Sequence, residues 1–444
     1  IAWEKLMFNH FHDILAGCSI KEAYEDAAEF HGMALHMGDW IQNGAIQRIS
    51  WAVDTMQGEA SLRSKEKHWA LWEYEDMGTP FIVFNPLSWE VKRPIQVNAL
   101  IKGVTDDEGN SLPIQVVRGS QTNNEDKWNT IFEGTIPALG YKLYWVYLDK
   151  EFNRNKDQDS KTNQKSENVL ENEYIRLEIE KHTGYINSLY DKRNGVEVLE
   201  GRGGIPILID IHHCDTWAHG IFEFSDEVGR FTDAEVRMVE AGPLRQILRV
   251  SSRYNDSTLR QDFILYKDRA EIEVRVKLDF REKHKMLKLS YPVNIDNPVA
   301  TYEMPYGYIE RPVNGEEEPG QQWIDITGET NSQTYGLSIL NDSKYSFSVL
   351  NNDMRMTIAN SSIIADHYGV RDEWCEFLDQ GVQEFKYILV PHKNKWQDAN
   401  IVQKAYELNS PPIGLMETYH EGILPRQLET LKISSSNVIA TVFK

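Results

Sequence analysis

The chain reads as an α+β protein that is mainly β: a three-helix-bundle-like start, then a small β-sandwich domain, then a large antiparallel β super-sandwich. Three observations give that class. Apolar residues recur at three- and four-residue steps near the start. They alternate at two-residue steps through most of the remainder, and turn residues punctuate the alternating runs. At 444 residues, with 41% apolar and 11% aromatic residues, the chain is long enough for more than one core and too apolar for a disordered polymer.

Residues 1–65 form the expected helical bundle. Trp3, Leu6, Met7, His10 and Ile14 fall on one stripe, which makes His10 a core residue, and Gly17 supplies a C′ stop. Ser19 and Glu22 have the spacing of a capping box opening a second helix. Ala23, Tyr24, Ala27, Phe30, Ala34, Met37 and Ile41 carry its stripe onward, and "AIQRISWAVDTM" prolongs it or adds a third helix. The small β domain spans 79–150, where "TPFIVFNPLSWE", "PIQVNALI", "LPIQVV" and "YKLYWVYL" read as strands. The almost wholly polar stretch 151–168 reads as an exposed linker.

The large β domain spans 169–444. In "AEIEVRVKLDF", Ile272, Val274, Val276, Leu278 and Phe280 alternate with charged residues, a pattern for one buried and one wet face. "EYIRLEIEKHTGYINSLYD" reads as two strands turning at Thr183-Gly184, and "YSFSVLNNDMRMTIA" as a hairpin about Asn351-Asn352.

Composition excludes several function classes. A net charge of −21 without a Lys/Arg-rich run disfavours nucleic acid. No apolar run reaches the ~20 residues of a membrane span. Three cysteines, Cys18, Cys214 and Cys375, without CxxC spacing, fit a reducing, cytoplasmic compartment rather than a disulfide framework. The opening "IAWEKLMFNHF" is already in helical register and has no initiator methionine, as if cut from a longer protein, so a signal peptide is not readable.

The chemistry-bearing stretch is "NHFHDILAGCSI". Residues two apart on a helix do not face each other, so His10 and His12 cannot chelate one metal from a regular helix. Spacing alone favours structural histidines. "AWEKLMFNHFHDILAGCSI", however, resembles the helix-bundle signature of glycoside hydrolase family 38, the zinc-dependent α-mannosidases. "GTPFIVFNPLSWEVKRPI", "YEMPYGYIERPVNGEEEPGQQWIDI", "YGLSILNDSKYSFSV" and "YILVPHKNKWQDANIVQKAYELNSPP" are similar, in order, to later stretches of that family. The resemblance implies that His12 is a zinc ligand and Asp13 a carboxylate for sugar hydroxyls. Ala16-Gly17-Cys18 departs from the Pro-Gly-Thr-like run common there.

The same resemblance places the remaining ligands, the nucleophile and the acid/base carboxylate in an upstream α/β domain. A retaining glycosidase needs two carboxylates about 5–5.5 Å apart, and no motif here pairs two. The expectation is therefore a C-terminal piece of a zinc-dependent retaining α-mannosidase, inactive alone, that holds zinc or another divalent cation only together with that domain. Its partner is an α-mannoside oligosaccharide, with no nucleic acid or membrane, and a homo-oligomer is left open. Within "YGYIERPVNGEEEPGQQW", Arg311 and Trp323 hold fixed places in the family motif and are assigned to the substrate rim, while Glu316, Glu317 and Glu318 read as a solvated acidic loop. "IHHCDTW" reads as a loop beside the sugar site rather than a metal centre, because adjacent strand residues point to opposite faces. Two alternatives stand: a mannosylglycerate hydrolase of the same family, and a non-catalytic sugar-binding β-sandwich module.

Overall fold

The computed structural model describes residues 1–56, 78–123, 127–148, 167–364 and 372–442. The polar stretch read as a linker lies almost entirely outside them. The chain divides into two compact units. The first holds Ile1–Gly38, Gln164–Ala241 and Arg245–Leu408; the second holds Asp39–Asn163, Gly242–Leu244 and Asn409–Lys444. Strand dominates the described residues of both, and among them the named strands pair antiparallel, so the mainly-β reading stands.

The first unit contains nine-, six- and four-stranded sheets. The nine-stranded sheet includes Arg245–Tyr254, Ser257–Tyr266, Ile272–Phe280, Gly381–Lys393, Gln333–Asn341 and Trp323–Thr330 as successive neighbours. The six-stranded sheet centres on Lys285–Pro292, flanked by Ile205–Asp210 and Asp353–Asn360. Alternate residues of all three sheets meet in one core that includes Leu177, Leu189, Leu208, Phe263, Val274, Leu287, Tyr335 and Met356. Burial of such apolar area at about 25 cal/mol per Å² supplies the main driving force of folding.

Both expected hairpins are present. Ile175–Ile179 pairs with Ile186–Asp191 across a turn in which Gly184 has φ +77°, and Ser346–Leu350 pairs with Asp353–Asn360 around Asn351 at φ +54°. The strand Ile272–Phe280 departs from the expected wet face. Glu271 and Glu273 are buried, because the helix Ile401–Asn409 lies over that side and Lys404 pairs with Glu271, while Arg275 pairs with Glu273. The "acidic loop" is likewise two strands, Gly307–Arg311 and Asn314–Pro319. Glu317 neutralises the buried Lys288, and Glu318 pairs with Arg311. Only Glu316 keeps the solvated role expected of all three.

In the second unit Thr79–Asn85 is sandwiched between Gly140–Tyr147 and Ile413–Met416. A three-stranded sheet of Val91–Val97, Trp128–Ile136 and Ile114–Arg118 packs against it through Phe81, Ile95, Phe132, Tyr144 and Val146. The late residues 413–416 thus join the sheet of the small β domain rather than the large one.

At the start of the chain the expected first helix is two short ones, Ala2–Phe8 and His12–Leu15, followed by one long helix, Lys21–Ser50. No residue of the two short helices is buried. His10 lies in the turn between them and is exposed, so it is no core residue. Among the described residues no helix is long and apolar enough to cross a membrane.

Candidate functional site

The break at Asn9 builds the site. Its amide donates to the Ala27 carbonyl at 2.8 Å from a 2% exposed position, pinning the turn to the long helix. Phe8 meets Phe30 edge-on at 5.5 Å, and Lys5 sits 4.3 Å above the same ring. The chain then turns at His10, Phe11 takes an extended ψ of 135°, and the second short helix begins at His12. It ends, as expected, at Gly17 with φ +80°, a conformation that favours glycine. Nothing along the chain marks Asn9 for this role, because its partner Ala27 lies 18 residues on.

His12 and Asp13 are neighbours in space. His12 Nε2 lies 3.5 Å from Asp13 Oδ1, with the imidazole 79% exposed and the carboxylate 29% exposed. Asp13 is held from behind. Its carbonyl accepts from the Cys18 N–H at 3.0 Å and from the Tyr24 hydroxyl at 3.3 Å, and the Cys18 thiol lies 3.7 Å from Oδ1. Tyr24 in turn accepts from the Ser19 N–H at 2.9 Å. Burial, then the Asp13 charge, push the Cys18 thiol above its ordinary pKa, so it stays a neutral donor. Cys18 stands where the motif usually carries a hydroxyl residue, and it still faces the carboxylate. Lys21, at the start of the long helix, pairs with Glu376 of the first unit's β region at 2.6 Å.

Among the described residues no hydrogen bond or ion pair joins this helix pair to Arg311 or Trp323. Arg311 is partly buried, paired with Glu318 and 5.5 Å from the Tyr302 ring. Trp323 is only 1% exposed, packed among Leu340, Ile388, Val390 and Ile401, with Trp396 at 4.8 Å. A sugar-stacking Trp323 is therefore corrected: its ring is buried in an apolar cluster and has no open face. The outward member of that aromatic column is Tyr308, 54% exposed and edge-on to Trp396 at 5.0 Å. In "IHHCDTW", His212 and His213 are exposed in a turn, while Cys214 is buried with Ile207, Ile209, Ile211 and Met286. Asp215 accepts the N–H groups of Trp217 and Ala218.

The chemistry of the helix pair follows from its donor set. An exposed imidazole can ligate a metal, and a carboxylate fixed from behind can accept sugar hydroxyls. One carboxylate cannot both attack an anomeric carbon and protonate the leaving oxygen. A zinc site takes three or four protein ligands. Here the pair offers at most two, and among the described residues no three His, Cys, Asp or Glu side chains come together. The described residues therefore do not fit a complete zinc site.

Comparison with known proteins follows the same line. Residues 170–368 match the model of the glycosyl hydrolases family 38 C-terminal domain. Alpha-mannosidase G of Dictyostelium discoideum is 23% identical over 94% of this chain and 39% of its own length. A Halalkalibacterium halodurans relative, named for mannosylglycerate hydrolysis, is 21% identical over 100% of this chain and 55% of its own. The crystal structure of an alpha-mannosidase from Enterococcus faecalis V583 superposes with a TM-score of 0.72 at 16% identity, covering 96% of this chain and 54% of that one. This chain thus spans less than two thirds of the length of each. Its residues 170–368 match the glycosyl hydrolases family 38 C-terminal domain.

Proposed function

We propose that this chain is the C-terminal part of a zinc-dependent retaining α-mannosidase that removes terminal α-mannosyl residues, with the nucleophile and acid/base supplied by residues outside it. In this reading His12 gives one imidazole to a metal completed by donors elsewhere, and Asp13 accepts hydroxyl hydrogen bonds from the mannose ring. The metal supplies Lewis-acid polarisation of the sugar when bound. Arg311 belongs to the substrate rim with its charge shared by Glu318. The observation that carries the reading is the exposed His12 beside the half-buried Asp13 on a one-turn helix, 3.5 Å apart and fixed by Gly17, Cys18 and Tyr24.

Two measurements test it. After dialysis, elemental analysis of the chain should find well under one equivalent of zinc, and a full equivalent overturns the shared-site reading. In the intact enzyme His12→Ala should abolish turnover, while melting of the present chain changes by under ~0.5 kcal/mol, as for an exposed surface position. Retained turnover places the ligand elsewhere. The match of the Halalkalibacterium relative, over 100% of this chain and 55% of its own length, supports a second reading, mannosylglycerate hydrolysis. Comparing intact-enzyme rates on p-nitrophenyl α-mannoside and on mannosylglycerate decides between them.

A further inference from the structure

The second unit carries a cleft apart from the helix pair that holds His12 and Asp13. The last turns of Lys21–Ser50 form one wall and the strand Ile413–Met416 with Glu417 the other, around about 630 Å³. Gly44, Gln47, Arg48, Trp51, Met416 and Glu417 line it. Its size falls in the ~300–1,000 Å³ range of small-molecule sites.

Its two principal groups are held in place before any ligand arrives. Trp51 is 56% exposed, yet its ring rests 4.6 Å from the His420 ring, and His420 is itself 6% exposed. The His420 N–H donates to Thr55 Oγ1 at 2.8 Å, and that hydroxyl donates to the Thr418 carbonyl at 2.6 Å. Glu417 accepts from Ser50 Oγ at 2.6 Å and from the Thr418 N–H at 2.7 Å. Among the described residues buried His420 Nε2 has no hydrogen bond, and it lies 3.8 Å from Glu417 Oε1. Arg48 and Gln47 stand exposed on the helix beside the indole, bringing a planar set of donors and an amide. One turn earlier on the same helix Gly44 leaves bare backbone, with no atom of the described residues within 4 Å of where its Cβ would be.

An exposed aromatic face, a guanidinium, an amide and a fixed carboxylate together match a ring with one apolar C–H face and hydroxyls around its edge. A polyanion is disfavoured, because Glu417 offsets Arg48 and the chain carries −21 overall. A purely apolar ligand is disfavoured too, since it would desolvate Arg48 and Glu417 without pairing them. We propose that this cleft is an accessory binding site for a neutral hexopyranose, stacked on Trp51 with its hydroxyls shared between Arg48 and Glu417.

Saturation-transfer NMR on the purified chain, with methyl α-mannopyranoside and methyl β-glucopyranoside as separate probes, tests this. At least one sugar should show transfer strongest at its ring C–H protons. Trp51→Ala and Gly44→Trp should each weaken it by at least about fivefold, the scale of one lost aromatic contact. His12→Ala should leave it unchanged. Gly44→Trp fills open space on an exposed helix face, so it tests the cleft even if Trp51→Ala disturbs the His420 contact. Transfer from neither sugar, or transfer that survives Gly44→Trp, overturns the proposal. Either result leaves the mannosidase reading untouched, because that reading rests on His12 and Asp13.

Discussion

Glu303 sits beside the buried Trp323 and shows how a single carboxyl can be set against its surroundings. Burial pushes it above the ordinary glutamate range, while the N–H groups of Gln322 and Trp323 pull it back. A folded pKa raised above the unfolded value means that the group's favourable contribution is complete at low pH and is lost as pH rises through the folded value. At neutral pH its charge is therefore a net cost. Glu303→Gln keeps an acceptor for the Gln322 N–H, which now binds at 2.6 Å, and removes the charge. Melting temperatures across pH 4–8 should show the variant gaining over wild type at pH 7 and losing that gain towards pH 4. A constant offset across the range would assign the effect to packing instead. Trp323 itself should behave as a core residue: Trp323→Ala should cost about 3–5 kcal/mol in urea denaturation. A loss below about 1 kcal/mol would return it to the surface role first expected of it.

Among the strands and turns, what could be read from the sequence was what neighbours along the chain decide. The Thr183-Gly184 turn was legible because a positive φ favours glycine, and its sequel confirms the reason. A Cβ on Gly184 would fall 2.5 Å from Val250 Cγ1 and 2.9 Å from the Ala234 Cβ, at φ +77°. Gly184→Ala should accordingly cost at least about 1–2 kcal/mol, measured by chemical denaturation, through strain and overpacking together. Gly17 and the Asn351 hairpin were legible on the same ground. The outer face of Ile272–Phe280 was not, because what covers Glu271 is Lys404, far along the chain. Trp323 was misread for the same reason: its cover comes from Trp396 and the helix Ile401–Asn409. At the candidate site the glycine stop at Gly17 was legible, and the motif pointed to the neighbouring His12 and Asp13. The helical period misplaced His10, because it could not foresee that Asn9 would bond the Ala27 carbonyl and break the helix.

The two units have separate cores, and the residues after Leu408 belong to the second. That return is built from backbone pairing. Ile413–Met416 supplies an edge to Thr79–Asn85, Leu428 pairs with Tyr141, and Thr55 bonds the Thr418 and His420 carbonyls. Ending the chain at Leu408 would unpair the edge of Thr79–Asn85 and bare Tyr141, Leu143 and Trp145, which share a cluster with Tyr419, Leu424 and Leu428. An exposed apolar edge invites pairing between copies. The core of the first unit, including the cluster under Ile401–Asn409, would keep every one of its buried members. Truncation after Leu408 should therefore lower the melting of the second unit and promote association, while hydrogen exchange in strands such as Ile272–Phe280 and Lys285–Pro292 stays as slow as in the full chain. Faster exchange in those strands would mean that the two cores unfold as one cooperative body, and that the late residues stabilise both.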